Sequence, residues 1–227
     1  MWISLASLGG TVGAYVIARW LSRRFRNALV NPFLIGTGLI ITGLALSGVP
    51  YLEYRAGVQP LAFLLGPATV ALGVPLYKNL PLLKRNMGPV LVGASAGALV
   101  GAISVMLMAL ALGMSRVLIY SLIPKSVTTP VAIAITNVLG GDANLSAAMT
   151  TLTGFTGIAF VRPLLGRFGI QSPLARGLAL GVSIHGMGTV AALEEGSLAA
   201  AMAGLGMMIA AICTALVAPL IVRFLAI

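Results

Sequence analysis

Lys125, Ser126, Thr128 and Thr129 lie between Pro124 and Pro130 in LIPKSVTTPVAI (122–133), inside a long apolar run. An ammonium group is costly in hydrocarbon, and two prolines break an ordinary helix by removing donors and clashing one turn back. A helix starting after such a break presents free N–H groups and the positive end of its dipole, which suits an anion. Lys125 adds a full charge and the three hydroxyls add donors, a set matched to a small carboxylate or phosphate. The bland alternative is a lysine that snorkels to the interface while the hydroxyls satisfy broken backbone. A second polar stretch is LGVSIHGMGTVAAL (180–193), where the only histidine, His185, sits among Ser183, Gly186, Gly188 and Thr189. Its glycines are poor helix formers, so the helix is expected to loosen there. His185 could contact a solute or take up a proton near neutral pH, or simply be a bonded core histidine. A third stretch, LLGPATVALGVPLYK (64–78), sets Thr69 among Gly66, Pro67, Gly73 and Pro75. Pro67, Pro75, Pro124 and Pro130 are the expected helix breaks.

These groups need a scaffold, and composition says which kind. Of 227 residues, 59% are hydrophobic and 8% charged, with a mean hydropathy of +1.07. A water-soluble domain would lack a polar shell on those figures, so the chain is expected to be an all-α integral membrane protein forming one domain, 1–227. Apolar runs at 2–18, 32–49, 60–77, 87–112, 117–139, 145–160, 177–193 and 198–222 give about seven or eight membrane segments. Several of them are expected to be discontinuous or re-entrant, as in transporters. The N-terminal run lacks a basic flank and reads as a retained helix, not a signal peptide. The net charge of +10 falls in loops between the runs, which makes it a topology signal and not a nucleic-acid surface. With basic loops cytoplasmic, the count places the N-terminus outside and the C-terminus inside. It asks 117–139 for zero or two crossings, which favours a re-entrant hairpin turning at PKSVTTP over one crossing with an unwound middle. Gly93, Gly97 and Gly101 repeat every four residues, the mark of a close-packing helix face. That face could serve inside the fold or in a homodimer.

Catalysis finds no support. No nucleophile has a base and an orienting acid beside it, and no GxxxxGK loop is present. Cys213 stands alone in an apolar run, and one histidine with one cysteine makes no metal site. No cofactor is expected; a coupling ion, where one is used, would be a proton or sodium.

Taken together and in order, LLGPATVALGVPLYK, SLIPKSVTTPVAI and SIHGMGTVAAL resemble the characteristic blocks of the LrgB/CidB family, over nearly the whole chain. The resemblance implies a multi-pass protein of the plasma membrane that works beside a smaller LrgA/CidA-like membrane partner. Family members are described as holin- or antiholin-like and linked to murein hydrolase export and autolysis. The plant plastidal glycolate/glycerate translocator is a relative, which implies transport of small monocarboxylates such as glycolate, glycerate or pyruvate. Relatives often carry GTARA where this chain has GTVAA (188–192), so a carboxylate here would have to rely on Lys125 or backbone. The expectation is a monocarboxylate transporter whose anion site joins PKSVTTP and SIHGMGT with LGPAT as a third wall; the alternative is a holin-like pore or regulator.

Overall fold

The computed structural model describes residues 2–25, 32–64, 67, 70, 73–78 and 80–224. It is all-helical among these residues. Helices α1 (Trp2–Arg24), α2 (Pro32–Ser47), α3 (Tyr51–Gly57) and α4 (Gln59–Phe63) come first. They are followed by α5 (Gly73–Lys78), α6 (Leu80–Arg85), α7 (Met87–Ala111), α8 (Arg116–Leu122) and α9 (Thr129–Leu139). The chain ends with α10 (Ala143–Arg167), α11 (Pro173–Leu193) and α12 (Ser197–Phe224). Contacts divide it into two compact units, Met1–Ala71 and Leu72–Ile227.

In the first unit α1 packs against α2 and α3. Small residues let the helices approach: Gly36 faces Ala18, and Gly57 lies against Ser7. Thr11 Oγ1 and the Tyr54 hydroxyl, 2.9 Å apart, fasten α1 to α3.

The second unit is built around α7 and α12. Both are long and apolar enough to cross a membrane, with mean hydropathies of 2.2 and 2.5. Much of their apolar surface faces outward, as at Val92 (70% exposed) and Leu216 (66% exposed). An outward apolar face of this kind suits lipid, not water. Val90, Ala94 and Ala98 of α7 share a core with Met202, Ile209 and Ala210 of α12.

Helix α11 is not one straight rod. Ile184 (φ −130°, ψ 24°) and His185 (φ 44°, ψ −128°) leave helical geometry. A straight helix of this length would separate its ends by about 30 Å. Instead Arg176 Nε in the first arm donates to Glu195 Oε2, just past the second arm, at 2.6 Å. Between the arms, a Cβ on Gly188 would strike the Leu180 carbonyl. The chain therefore turns back at Ile184–His185. The first arm runs parallel to α7, with Leu178 at Gly93 and Val182 at Gly97. It also runs parallel to the start of α12, where Gly177 and Gly181 lie on the backbones of Ala199 and Ala203. This corrects the expectation of a single crossing over 177–193.

A second reversal involves α8 and α9. The chain leaves Ser121, passes through the non-helical stretch 123–128, and descends α9. It returns where the Asp142 N–H donates to Ser121 Oγ at 2.8 Å. Gly140 ends α9 in the left-handed region (φ 80°), the usual glycine stop. Asp142 then caps α10, its Oδ1 accepting from the Asn144 and Leu145 N–H groups.

The glycine contacts give a direct test. Gly181→Val would drive its side chain into the Ala203 backbone and should cost about 1–3 kcal/mol, the usual penalty of overpacking. Thermal melting of purified protein in detergent reads this as a lowered midpoint, whereas Gly204→Ala, with open space around it, should leave the midpoint nearly unchanged.

Candidate functional site

The two reversals approach α7 from opposite ends. The α8 side packs through Ile119 and Ile123 into a cluster with Ala102, Met106 and Ala109 in the second half of α7. The first arm of α11 meets Gly93 and Gly97 in the first half. Between them, Ser126 Oγ lies beside Gly101, 3.7 Å from where a Cβ would stand. The glycine face read as a packing surface thus receives Leu178, Val182 and Ser126 in turn.

A cavity of about 570 Å³ lies where these elements meet, with Lys125, Ser126 and Ser183 as its only polar side chains. Lys125 is half-buried, and its Nζ donates to Ser126 Oγ at 3.3 Å. Ser183 Oγ donates back to the Ala179 carbonyl, as hydroxyls in helices commonly do. The glycine face and Val100 of α7, the apolar side chains of α11 between Ala175 and Val182, and those of α10 form the remaining wall.

Other expected site residues lie elsewhere. Thr128 is the N-cap of α9 and makes no side-chain cap bond, and Pro130 follows in the first turn. Pro130 lines a separate apolar cavity of about 400 Å³ against Ala215 and Pro219 of α12. Thr129 is half-buried in that same first turn. His185 is 5% exposed, and its Nε2 stands 3.2 Å from the Thr150 carbonyl. That contact is a hydrogen bond when the proton is on Nε2. Thr189 Oγ1 donates to the His185 carbonyl at 3.3 Å, so part of the backbone freed by the turn finds a partner. Gly188 is buried at the approach of the two arms, and Gly186 is half-buried next to the turn. None of these residues lines the Lys125 cavity. Thr69 and Gly66 lie outside the described residues. Pro67 is exposed, and Pro75 lies in the first turn of α5, where a missing N–H costs no helical bond.

Two features escaped the sequence reading. One is the α10 wall, Val161, Leu164, Leu165 and Phe168, which looks like ordinary apolar periodicity. The other is the ionic clasp at the base of α11. Arg162 donates to Glu194 at 2.7 Å and to Glu195 at 2.9 Å, while Arg176 donates to both oxygens of Glu195. Arg176 also reaches the Ile170 carbonyl. The bond from Arg176, together with the Arg162 guanidinium, holds the Glu195 carboxyl below its ordinary range despite some burial.

The profile of the LrgB-like family matches residues 11–224. The chain belongs to the LrgB-like family. It is 35% identical to the uncharacterized protein YwbG of Bacillus subtilis over 225 residues, covering 99% of this chain and 100% of YwbG. It is 31% identical to the holin-like protein CidB of Staphylococcus aureus over 213 residues, 93% of each. It is 28% identical to the antiholin-like protein LrgB of Bacillus subtilis over 216 residues, 95% of this chain and 94% of that one. No solved structure gives a significant match. The LrgB-like match spans both compact units and includes the clasp, both reversals and Lys125.

The clasp sets a pH dependence. Because the folded-state pKa of Glu195 lies below its unfolded value of about 4.3, its contribution is fully present at neutral pH. It fades as pH falls through the folded value. Glu195→Gln should lower stability by about 1.5–3 kcal/mol at pH 7, the range for hydrogen bonds to charged groups. The gap between wild type and variant should shrink as melts are taken toward pH 3.

Proposed function

We propose that this LrgB-like chain is a holin- or antiholin-like component of the plasma membrane. In this reading it acts beside a smaller LrgA/CidA-like membrane protein in controlling murein hydrolase export and autolysis. The observation that carries it is similarity along nearly the full length to proteins named antiholin-like LrgB and holin-like CidB. No catalytic residue, cofactor, metal or nucleic acid belongs to this proposal.

A second reading rests on a specific piece of geometry: the reversals at 123–128 and 184–185 approach α7 from opposite ends and leave Lys125 and Ser126 facing one cavity. If both reversals are re-entrant, they bring broken backbone to the interior from the two membrane faces, the arrangement carriers use to hold a solute between alternately open sides. Lys125 would neutralise a small monocarboxylate such as glycolate, glycerate or pyruvate, with Ser126, whose oxygen accepts from Lys125 and whose proton is available, as a further donor. His185, buried on Thr150, would be the group available to a coupling proton; sodium is the other candidate ion.

Flux into proteoliposomes separates the two readings. The carrier reading expects saturable, competable uptake of labelled glycolate or pyruvate. It also expects Lys125→Met to raise the half-saturating concentration about tenfold or more, the equivalent of one charge-assisted bond, with unchanged melting. A pore passes unrelated solutes and dye without saturation. A regulator passes nothing alone and changes flux only when the LrgA/CidA-like protein is co-reconstituted.

A further inference from the structure

The Lys125 cavity is far larger than its polar end requires. Its charged end is where Lys125 and Ser126 lie beside Gly101. From Ser183 back to Ala175 the lining of α11 is wholly apolar, a run of about 12 Å along the helix. Gly93, Leu178, Leu164 and Phe168 close this second end. Leu164 and Phe168 are 52% and 72% exposed at this end, and Val100 beside Gly101 is 66% exposed, so the cavity is open at the apolar end and at the charged end alike.

Charge says what the polar end lacks. The chain has four carboxylates. Glu194 and Glu195 are held by Arg162 and Arg176, and Asp142 caps α10. Glu53 lies in α3, in the other compact unit. Within its own compact unit, among the described residues, Lys125 therefore meets a hydroxyl but no acid. A cation facing an apolar cavity without a counter-charge favours an anion supplied from outside.

We propose that the cavity binds a single-tailed amphiphilic monocarboxylate, its head on Lys125 and Ser126 and its apolar tail running along α11 toward Phe168. This rests on the reading that Lys125 holds a carboxylate, and it adds what the carboxylate is attached to. A two- or three-carbon hydroxy acid would occupy the polar end and leave the apolar run without contacts. A two-tailed phospholipid would need a second groove beside this one. A medium-length straight chain matches both the single cation and the single apolar channel.

The test uses the full chain in nanodiscs of zwitterionic lipid. Thermal stabilisation is titrated with straight-chain carboxylates from acetate to decanoate. Glycolate, pyruvate and 1-alkanols of matched length serve as references. The half-effect concentration of the carboxylates should fall by up to about fourfold per added methylene until the channel is full, with alkanols weaker by about tenfold or more. Lys125→Met should bring carboxylates to the alkanol level. Ala175→Phe, which narrows the apolar end, should keep the response to acetate and abolish the gain from hexanoate upward. A flat series with glycolate or pyruvate still stabilising overturns the tail and leaves the small-solute reading standing. Loss of response to every carboxylate overturns both. Equal responses to alkanols, or unchanged responses in Lys125→Met, mean membrane partitioning alone and also overturn the proposal.

Discussion

Arg176 and Glu195 are nineteen residues apart and share two hydrogen bonds. No straight helix permits this, so the chain between them must fold back, and it does so at Ile184–His185. His185 takes a positive φ, a conformation that costs a non-glycine residue on the order of 1–3 kcal/mol. Several interactions offset that strain. The arms pack on each other through Gly188, the first arm seats its glycines on the α12 backbone, and Arg162 adds a second cation at the base. Without the clasp, the packing at Gly188 and of the first-arm glycines on α12 would alone favour the reversal.

The same economy governs the second reversal. Broken backbone is tolerated in an apolar setting only where it is enclosed by protein or lines a wet cavity. Pro124 and Val127 are buried, as are Ile184 and His185 at the other turn. Thr136 Oγ1 donates to Ser146 Oγ in a pair with no exposure, and Ser121 receives the Asp142 N–H. These contacts let an interrupted segment sit inside the unit. The position of the turns then follows from α7, whose glycines leave room for Leu178 and Val182 on one side and Ser126 on the other. Lys125 faces a cavity because the chain on both sides of it is held elsewhere.

Some of this was legible in the letters and some was not. The interruption at 123–128 was, because proline acts on its own neighbours and needs no partner. The close-packing role of Gly93, Gly97 and Gly101 was also legible, since a repeat of four defines one helix face. The glycines around His185 announced a weak point but not its consequence. A loosened helix and a full reversal look alike locally; the choice is made by Arg162 and Arg176 with Glu195, up to 33 residues apart. The α10 wall was invisible for a different reason, since Val161 and Leu164 carry no signal beyond apolarity. Thr128, Thr129 and Thr189 do not line the Lys125 cavity; Thr189 bonds the His185 carbonyl instead. Membership of the LrgB-like family is borne out by the profile match.

The reversal at His185 is the claim on which the geometry of the site rests, and one distance tests it directly. Spin labels placed at Ser172→Cys and Ser197→Cys, in a Cys213→Ser background, flank α11 on both sides. A chain that folds back holds the labels close enough for strong dipolar broadening. A continuous helix through His185 would separate them by about 37 Å, and that distance would contradict the account.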